Sequence, residues 1–295
     1  MGRCAMRSRL LPVWIRSRLP SAGAVESMRR WTYAKGLTTV CKEALCPNQG
    51  DCSERQTATF LILGARCTRN CLFCGICAGP PEPVDPGEPD RVASAVKSLE
   101  LRHTVITSVT RDDLPDGGAF AFVQTIQTIR RLVPATSIEV LVPDFLGSLH
   151  ALETVMNSEP DVISHNLEMV PRLYSALRPG ASYTRSLRVV ESISRTGNVI
   201  SKSGIMVGLG ETISELRQLI GDLATAGCSA LTIGQYLRPT RRQVPVNRYV
   251  PPAEFEWLRQ FAISAGIRQV VAGPLVRSSY KAAETYGKLK SDTFD

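Results

Sequence analysis

The chain has 295 residues, 43% of them hydrophobic and 21% charged, which is enough apolar surface for a packed core and too little polar bias for wholesale disorder. Its net charge of +8 is unevenly spread: eight Lys or Arg against one acid, Glu26, stand at or before Lys35, whereas 27 basic and 26 acidic side chains follow. A nearly neutral body excludes a broad phosphate-binding field, so no nucleic-acid partner is expected, and no run reaches the ~18 apolar residues of a membrane helix, so no membrane partner is expected either.

The opening arm, MGRCAMRSRLLPVWIRSRLPS, is rich in Arg and nearly acid-free, which is also how a mitochondrial transit peptide reads. The first cysteine group begins at Cys41, leaving little chain to discard, and no secretory leader pattern is present, so the chain reads as cytoplasmic. In a reducing compartment, closely spaced thiols are more often metal ligands than disulfides. Six of the nine cysteines fall in two groups: Cys41, Cys46 and Cys52 in CKEALCPNQGDC, and Cys67, Cys71 and Cys74 in CTRNCLFC.

From residue 59 onward, short runs rich in β-branched residues alternate with stretches of helical period. The strand-like runs are TFLILG (59–64), TVITSV (104–109), SIEVLVP (137–143), DVISHN (161–166), GIMVGLG (204–210) and ALTIGQ (230–235). Each is nearly continuous in apolar residues, as in parallel strands covered on both faces. Helical stretches at 90–100, 118–132, 147–157, 169–178, 185–196 and 211–226 lie between and after them.

Polar residues collect at the carboxyl ends of these strands: the second cysteine group, then Arg111, Asp112 and Asp113, then Asp144, then Asn166 and Glu168, then Glu211, then Gln235 and Tyr236. Six loops converging on one mouth is the barrel pattern, whereas an open doubly wound sheet gathers its polar residues at one switch point. The expected fold is α/β, a partial (β/α)6 TIM-type barrel over 59–236. Residues 1–58 form an N-terminal extension carrying the first cysteine group, and 237–295 a C-terminal extension in which PAEFEWLRQFAISAG reads as a helix between Pro252 and Gly266.

Thiolates spaced C-x-x-x-C-x-x-C can wrap a cuboidal iron–sulfur cluster and leave one iron open to substrate or cofactor. A structural zinc site wants four closed ligands, and Cys77 completes a C-x-x-C pair with Cys74, so zinc or a fully ligated cluster stays open on this stretch alone. CTRNCLFC after the first strand resembles the cysteine motif of the radical S-adenosylmethionine (SAM) superfamily. The spacing of Cys41, Cys46 and Cys52 resembles the auxiliary-cluster motif of the lipoyl synthase family. That resemblance runs from about residue 12 to 282 through TSVTRDDLPDGGA, HNLEMVPRLY, KSGIMVGLGET, GQYLRPT and GPLVRSSY.

The resemblance implies a barrel of the radical SAM type and two 4Fe-4S clusters. Cys67, Cys71 and Cys74 would hold the cluster that binds SAM. Cys41, Cys46 and Cys52, with Ser279 of RSSY as fourth ligand, would hold the cluster that donates sulfur. An alkoxide is a hard ligand on an iron that prefers thiolate, which suits an exchangeable corner, although Ser279 also reads as the cap of a helix. Asn166 and Glu168 would contact the SAM ribose and amino group, or cap the helix that follows. Arg111 and Asp112, with Asp113, would face SAM or substrate, or form a loop with its own ion pairs. The implied substrate is an octanoyl chain on a lysine of a lipoyl carrier domain, either the glycine cleavage H protein or a 2-oxoacid dehydrogenase acyltransferase subunit. Sulfur would enter at carbons 6 and 8. The implied helpers are ferredoxin or flavodoxin as electron donor and iron–sulfur assembly carriers.

The chain departs from the family at Gly75, where Asp is usual, and at Ser53, Arg242, Gln243 and Lys281, in place of a Trp and three His. Its own histidines, His103, His150 and His165, lie off the cysteine motifs and read as structural. Two rivals remain at this stage: a radical SAM enzyme acting on a different acyl group, and a zinc or nucleic-acid binding module.

Overall fold

The computed structural model describes residues 11–15, 36–44, 46, 48, 52 and 58–291. After a short turn at Val13–Ile15 come β1 (Thr38–Thr39) and the single turn α1 (Val40–Glu43), then β2 (Thr59–Ile62) and the small pair β3 (Arg66–Cys67) and β4 (Cys77–Ala78). The repeating part follows as α2 (Glu88–Ser98), β5 (His103–Ser108), α3 (Ala119–Leu132), β6 (Ser137–Leu141), α4 (Leu149–Met156) and β7 (Val162–Ser164). It continues with α5 (Pro171–Leu177), α6 (Tyr183–Arg195), β8 (Ile200–Val207), α7 (Ile213–Thr225) and β9 (Ala230–Gln235), and closes with α8 (Pro252–Ser264), β10 (Gln269–Gly273) and α9 (Ala282–Ser291).

The main sheet runs β1-β2-β5-β6-β7-β8-β9-β10. All neighbours are parallel except β1, which lies antiparallel on β2. Strand order follows chain order without the reversal that defines a doubly wound sheet, so the sheet is a partial barrel. Its inner strands are buried on both faces; all four residues of β2 and all six of β9 are buried, as their nearly unbroken apolar runs require, whereas the edge strand β10 is mostly half-buried. Each helix starts where local chemistry permits. The first turn of α7 is closed by a capping box, the Thr212 hydroxyl accepting from the Glu215 amide while the Glu215 carboxylate accepts from the Thr212 amide. Pro252 opens α8, where a missing N–H costs nothing.

All six strands expected from the sequence are present, and a seventh parallel strand, β10, joins beyond them with Gln269–Gly273 paired to Ala230–Gly234. Its five residues follow Arg268 and begin with a glutamine, so no apolar run marks it. One part of the core packs β2, β5 and β6 against α2, α3 and α4, and another packs β8 and β9 against α7 and α8.

The end of the barrel opposite the strands' carboxyl termini is plugged. Tyr286 of α9 packs its ring at a tilt against His103, at 5.8 Å between ring centroids, and donates to Asp161 at 2.9 Å. Above it the Lys202 ammonium donates to both oxygens of Glu139, at 2.7 and 3.0 Å, with both of these residues buried. Near the start of the chain, the Trp14 indole donates to the Val250 carbonyl at 3.1 Å and Ile15 is buried, so this turn packs on the body just ahead of α8. Among the described residues no helix is long and apolar enough to cross a membrane.

Candidate functional site

A cavity of about 300 Å³ opens at the carboxyl ends of the strands. Cys67, Cys71 and Cys74 line one side of it, Asn166, Glu168 and Arg178 another, and Gly204, Thr232 and Gly234 of β8 and β9 its floor.

The cysteine loop is held by its backbone. Thr68 N donates to Thr110 O (3.1 Å), Leu72 N to Leu177 O (2.8 Å) and Gly79 N to Cys67 O (3.0 Å), tying the loop to β5, α5 and β4. Two amides point at sulfur, Arg69 N to Cys67 Sγ at 3.4 Å and Ile76 N to Cys74 Sγ at 3.5 Å, the kind of contact that sets the electronics of a thiolate-bound cluster. Arg69, inside the motif, is buried and makes a two-pronged bond to Asp112 (2.6 and 2.8 Å), with a further bond to Asp144 (2.7 Å). The loop is thereby riveted to the ends of β5 and β6.

Burial first, and the neighbouring thiols after it, push Cys74 up to about 12; burial likewise pushes Cys71 up to about 11, against the Arg178 charge. These thiols are protonated without metal, and metal binding must release their protons. Among the described residues, no group of three or more His, Cys, Asp or Glu is placed to hold a single metal ion. The donor set nonetheless fits a cluster: three thiols on one loop, amides aimed at two of the sulfurs, and a cavity against the open side. Cys77 is exposed, and in the β3–β4 ladder it stands opposite Arg66 while Cys67 stands opposite Ala78. Side-chain alternation therefore turns Cys77 to the face away from Cys67.

Asn166 and Glu168 come together just beyond β7. Asn166 Nδ2 donates to Glu168 Oε1 at 3.0 Å, and Asn166 Oδ1 is buried without a partner. Glu168 has a φ of +68°, a strained backbone fixed by Glu168 N to Gly204 O (2.9 Å) and Met206 N to Glu168 O (2.7 Å). Burial raises the Glu168 carboxyl above the ordinary range, opposed by Arg178. Gly204 makes room here: a Cβ would stand 2.8 Å from both Asn166 Oδ1 and Thr232 Oγ1.

Arg111 and Asp112 do not line the cavity. Arg111 makes a two-pronged bond to Asp113 (2.8 Å each), while Asp112 is the partner of Arg69. Glu211 accepts from Gly208 N (2.6 Å) and Leu209 N (2.8 Å), so this carboxylate braces the turn after β8. Gln235 donates to the carbonyls of Val207, Tyr236 and Arg248 and accepts from Val250 N, which fixes the start of the late loop. His165 is buried with Nδ1 against Val142 O (2.8 Å), and burial, then the Arg178 charge, lowers it to about 4.

The first cysteine group packs alongside. Val40 and Ala44, flanking Cys41, and Ser278, preceding Ser279, are cavity-lining residues, though Cys41, Cys46, Cys52 and Ser279 are not. Cys46 N donates to Cys41 O (3.1 Å) and Cys52 N to Asn48 O (3.0 Å); Asn48 Nδ2 donates to Leu275 O (2.6 Å), which brings this segment against the one carrying Ser279. Burial, then the charge of Cys46, pushes Cys41 up to about 11. Ser279 is half-buried, and its carbonyl accepts from Ala282 N at 3.3 Å at the start of α9. Ser53 lies outside the described residues. Gly75 sits where the two cysteine segments and the late loop meet: a Cβ there would stand 3.3 Å from Ala44 Cα and from Pro239 Cβ.

Arg178 and Arg277 are the cavity residues that sequence reasoning missed. Arg178 is half-buried, and its Nη1 donates to Asn166 O (3.1 Å), the Tyr174 hydroxyl (3.1 Å) and Ser186 Oγ (3.3 Å). Arg277 donates to Val276 O (2.7 Å) and Gln235 O (3.3 Å). Arg178 stands in the turn ALRPG, where nothing local separates an arginine turned into a cavity from a solvated one. Arg277 stands beside the quoted serines, and proximity to them was the one available signal.

Residues 61–223 match the radical SAM superfamily. The chain is 50% identical over 273 residues to lipoyl synthase of Pelodictyon phaeoclathratiforme, covering 92% of each chain, and 49% identical over 280 residues to lipoyl synthase of Desulfotalea psychrophila, covering 95% of this chain and 94% of that one. Among solved structures, Streptococcus suis SuiB bound to S-adenosylmethionine superposes with a TM-score of 0.56 at 10% identity, covering 79% of this chain and 57% of that one. At that identity the likeness speaks for the fold alone.

Proposed function

Because the chain belongs to the lipoyl synthase family of the radical SAM superfamily, we propose that the cavity at the strand ends is where its reaction takes place. The reaction is insertion of two sulfur atoms, at carbons 6 and 8, into an octanoyl chain carried by a lipoyl carrier protein, with SAM and 4Fe-4S clusters as cofactors. When bound, these groups supply the 5′-deoxyadenosyl radical and the sulfur.

Cys67, Cys71 and Cys74 hold the SAM-binding cluster, on a loop that Arg69 rivets to Asp112 and Asp144. Asp112 therefore acts on the cofactor through Arg69, and Arg111 through the loop it shares with Asp113. Glu168, with its backbone locked and Asn166 bonded to its carboxylate, takes the SAM ammonium; the unpartnered Asn166 Oδ1 accepts from a ribose hydroxyl. Cys41, Cys46, Cys52 and Ser279 hold the sulfur-donating cluster. Their chain neighbours Val40, Ala44 and Ser278 line the same cavity, which supports a position for that cluster beside its wall. This shared wall carries the reading, since one octanoyl chain has to meet both centres. The natural substrate is the glycine cleavage H protein or a 2-oxoacid dehydrogenase acyltransferase subunit, in the cytoplasm. Ferredoxin or flavodoxin brings the electrons, and iron–sulfur carriers rebuild the spent centre.

The test is mass spectrometry of an octanoylated carrier incubated anaerobically with reconstituted protein, SAM and a low-potential reductant. The expected product has gained two sulfurs and lost two hydrogens, from protein holding about eight irons per chain. An unmodified octanoyl group from protein with full iron would refute the substrate.

A further inference from the structure

We propose that the loop carrying Arg238, Arg241 and Arg242 is the docking surface for the carrier protein, and that it takes an acidic face beside the octanoylated lysine. The inference rests on the substrate class given above and extends it to how the carrier is recognised.

The loop leaves the carboxyl end of β9, at the rim of the cavity, and is fastened to the cysteine motif. Val244 N donates to Leu72 O at 3.0 Å, Gln243 Nε2 to Cys74 O at 3.0 Å, and Pro239 packs on Gly75. The Tyr236 hydroxyl donates back to Val244 O at 2.8 Å. Its shape is set internally as well, because the Arg238 guanidinium donates to the carbonyls of Gln243 and Arg241 while Gln243 Oε1 accepts from the Thr240 hydroxyl at 2.6 Å. A surface held this way is rigid, and anything seated on it lies beside Cys74.

Its charge is unanswered. Arg238, Arg241 and Arg242 are all exposed, and among the described residues none pairs with a carboxylate. Some arginines elsewhere are answered, as Arg172 is by Glu215 and Arg195 by Glu191, and those that are not, such as Arg102, Arg188 and Arg268, stand singly rather than as three on one loop. Three like charges on one short loop repel one another, and an acidic partner relieves that repulsion while steering encounter. Leu72, 37% exposed, supplies an apolar contact beside them. The occupant is a folded protein because the acyl chain is tethered to one, and a lysine-linked octanoyl arm reaches the cavity only if its carrier sits on the rim.

The test uses the reconstituted full chain and a fluorescently labelled octanoylated lipoyl carrier domain, with Kd read by anisotropy at about 50 and about 300 mM salt. Wild-type binding is expected to weaken with salt, and the Arg241→Glu/Arg242→Glu chain to bind about tenfold or more weakly at the lower salt with little salt dependence left. Arg241→Gln/Arg242→Gln, which cannot introduce repulsion, is expected to fall between. In single-turnover assays all three chains are expected to modify a short neutral octanoyl-lysine peptide equally. Unchanged carrier binding in the reversed chain overturns the proposal, as does an equal fractional loss on peptide and carrier, which would mean that the loop only supports Cys74. A wild-type chain that modifies neither substrate strikes at the substrate assignment itself, and the docking surface falls with it.

Discussion

Replacing Arg69 by Met removes the only hydrogen bond that, among the described residues, reaches Asp144 from another side chain. The Asp144 side chain is fully buried, its Oδ2 already lacks a partner, and the cation left nearby is Arg185 at 3.5 Å. Asp112 is 26% exposed and can turn to water, so the cost falls mainly on Asp144. Breaking a buried pair costs roughly 3–5 kcal/mol. With Arg185 retained the lower end applies, about 3 kcal/mol, or about 6–12 °C in Tm for a chain near this size. In the wild type, burial pushes the Asp144 carboxyl up, but the Arg69 bond and charge outweigh it and hold the group below its ordinary range. Asp144 therefore stabilises the fold above the ordinary carboxylate range, and that contribution is lost as pH falls through the depressed value. In Arg69→Met burial is opposed by the Arg185 charge and the Leu146 amide but no longer by Arg69, so the carboxyl rises and acid relieves part of the variant's loss. Thermal melts of the metal-free chains should show a gap that is widest near pH 7 and narrows toward pH 5, and Asp144→Asn in the Arg69→Met background should recover much of it. A variant melting within about 1 kcal/mol of wild type, or a second substitution that recovers nothing, would refute the rivet.

Two further outcomes follow from the cavity. Glu168→Gln should weaken SAM binding roughly tenfold. Because burial raises the Glu168 carboxyl and the carboxylate is the form that holds an ammonium, wild-type affinity should grow as pH rises through that raised value; equilibrium dialysis showing identical, flat pH profiles for both chains would remove Glu168 from the site. Gly234→Ala would place a Cβ 2.2 Å from the Val276 carbonyl oxygen and displace the segment leading to Ser279. Iron per chain should drop from about eight toward about four; full iron would show that the segment yields without losing its ligand.

The repeating part of the fold was legible because parallel strands covered on both faces spell continuous apolar runs, and each of the six strands lies within or across its expected run. β10 was not, since five residues with a polar start carry no such signal and only pairing with β9 defines them. At the site, cysteine spacing located the loop, and clustering at strand ends located Asn166 and Glu168. Arg69 and Arg178 were invisible as functional residues: the acids that hold Arg69 come from 43 and 75 positions away, and the Asn166 carbonyl that orients Arg178 from 12. Gln243 was noted only as a departure from the family. Its bond to the Cys74 carbonyl spans 169 positions, a relation that no local pattern encodes.

Gly75 touches Ala44 on one side and Pro239 on the other, each 3.3 Å from where a first side-chain carbon would sit. A larger residue at 75 fits only once these neighbours have given by a few tenths of an ångström, so a change from glycine to aspartate there is coupled to the placement of Ala44 and Pro239. Grafting a relative's aspartate-bearing loop into this chain would accordingly require Ala44 or Pro239 to give way, whereas the reverse graft meets no such obstacle.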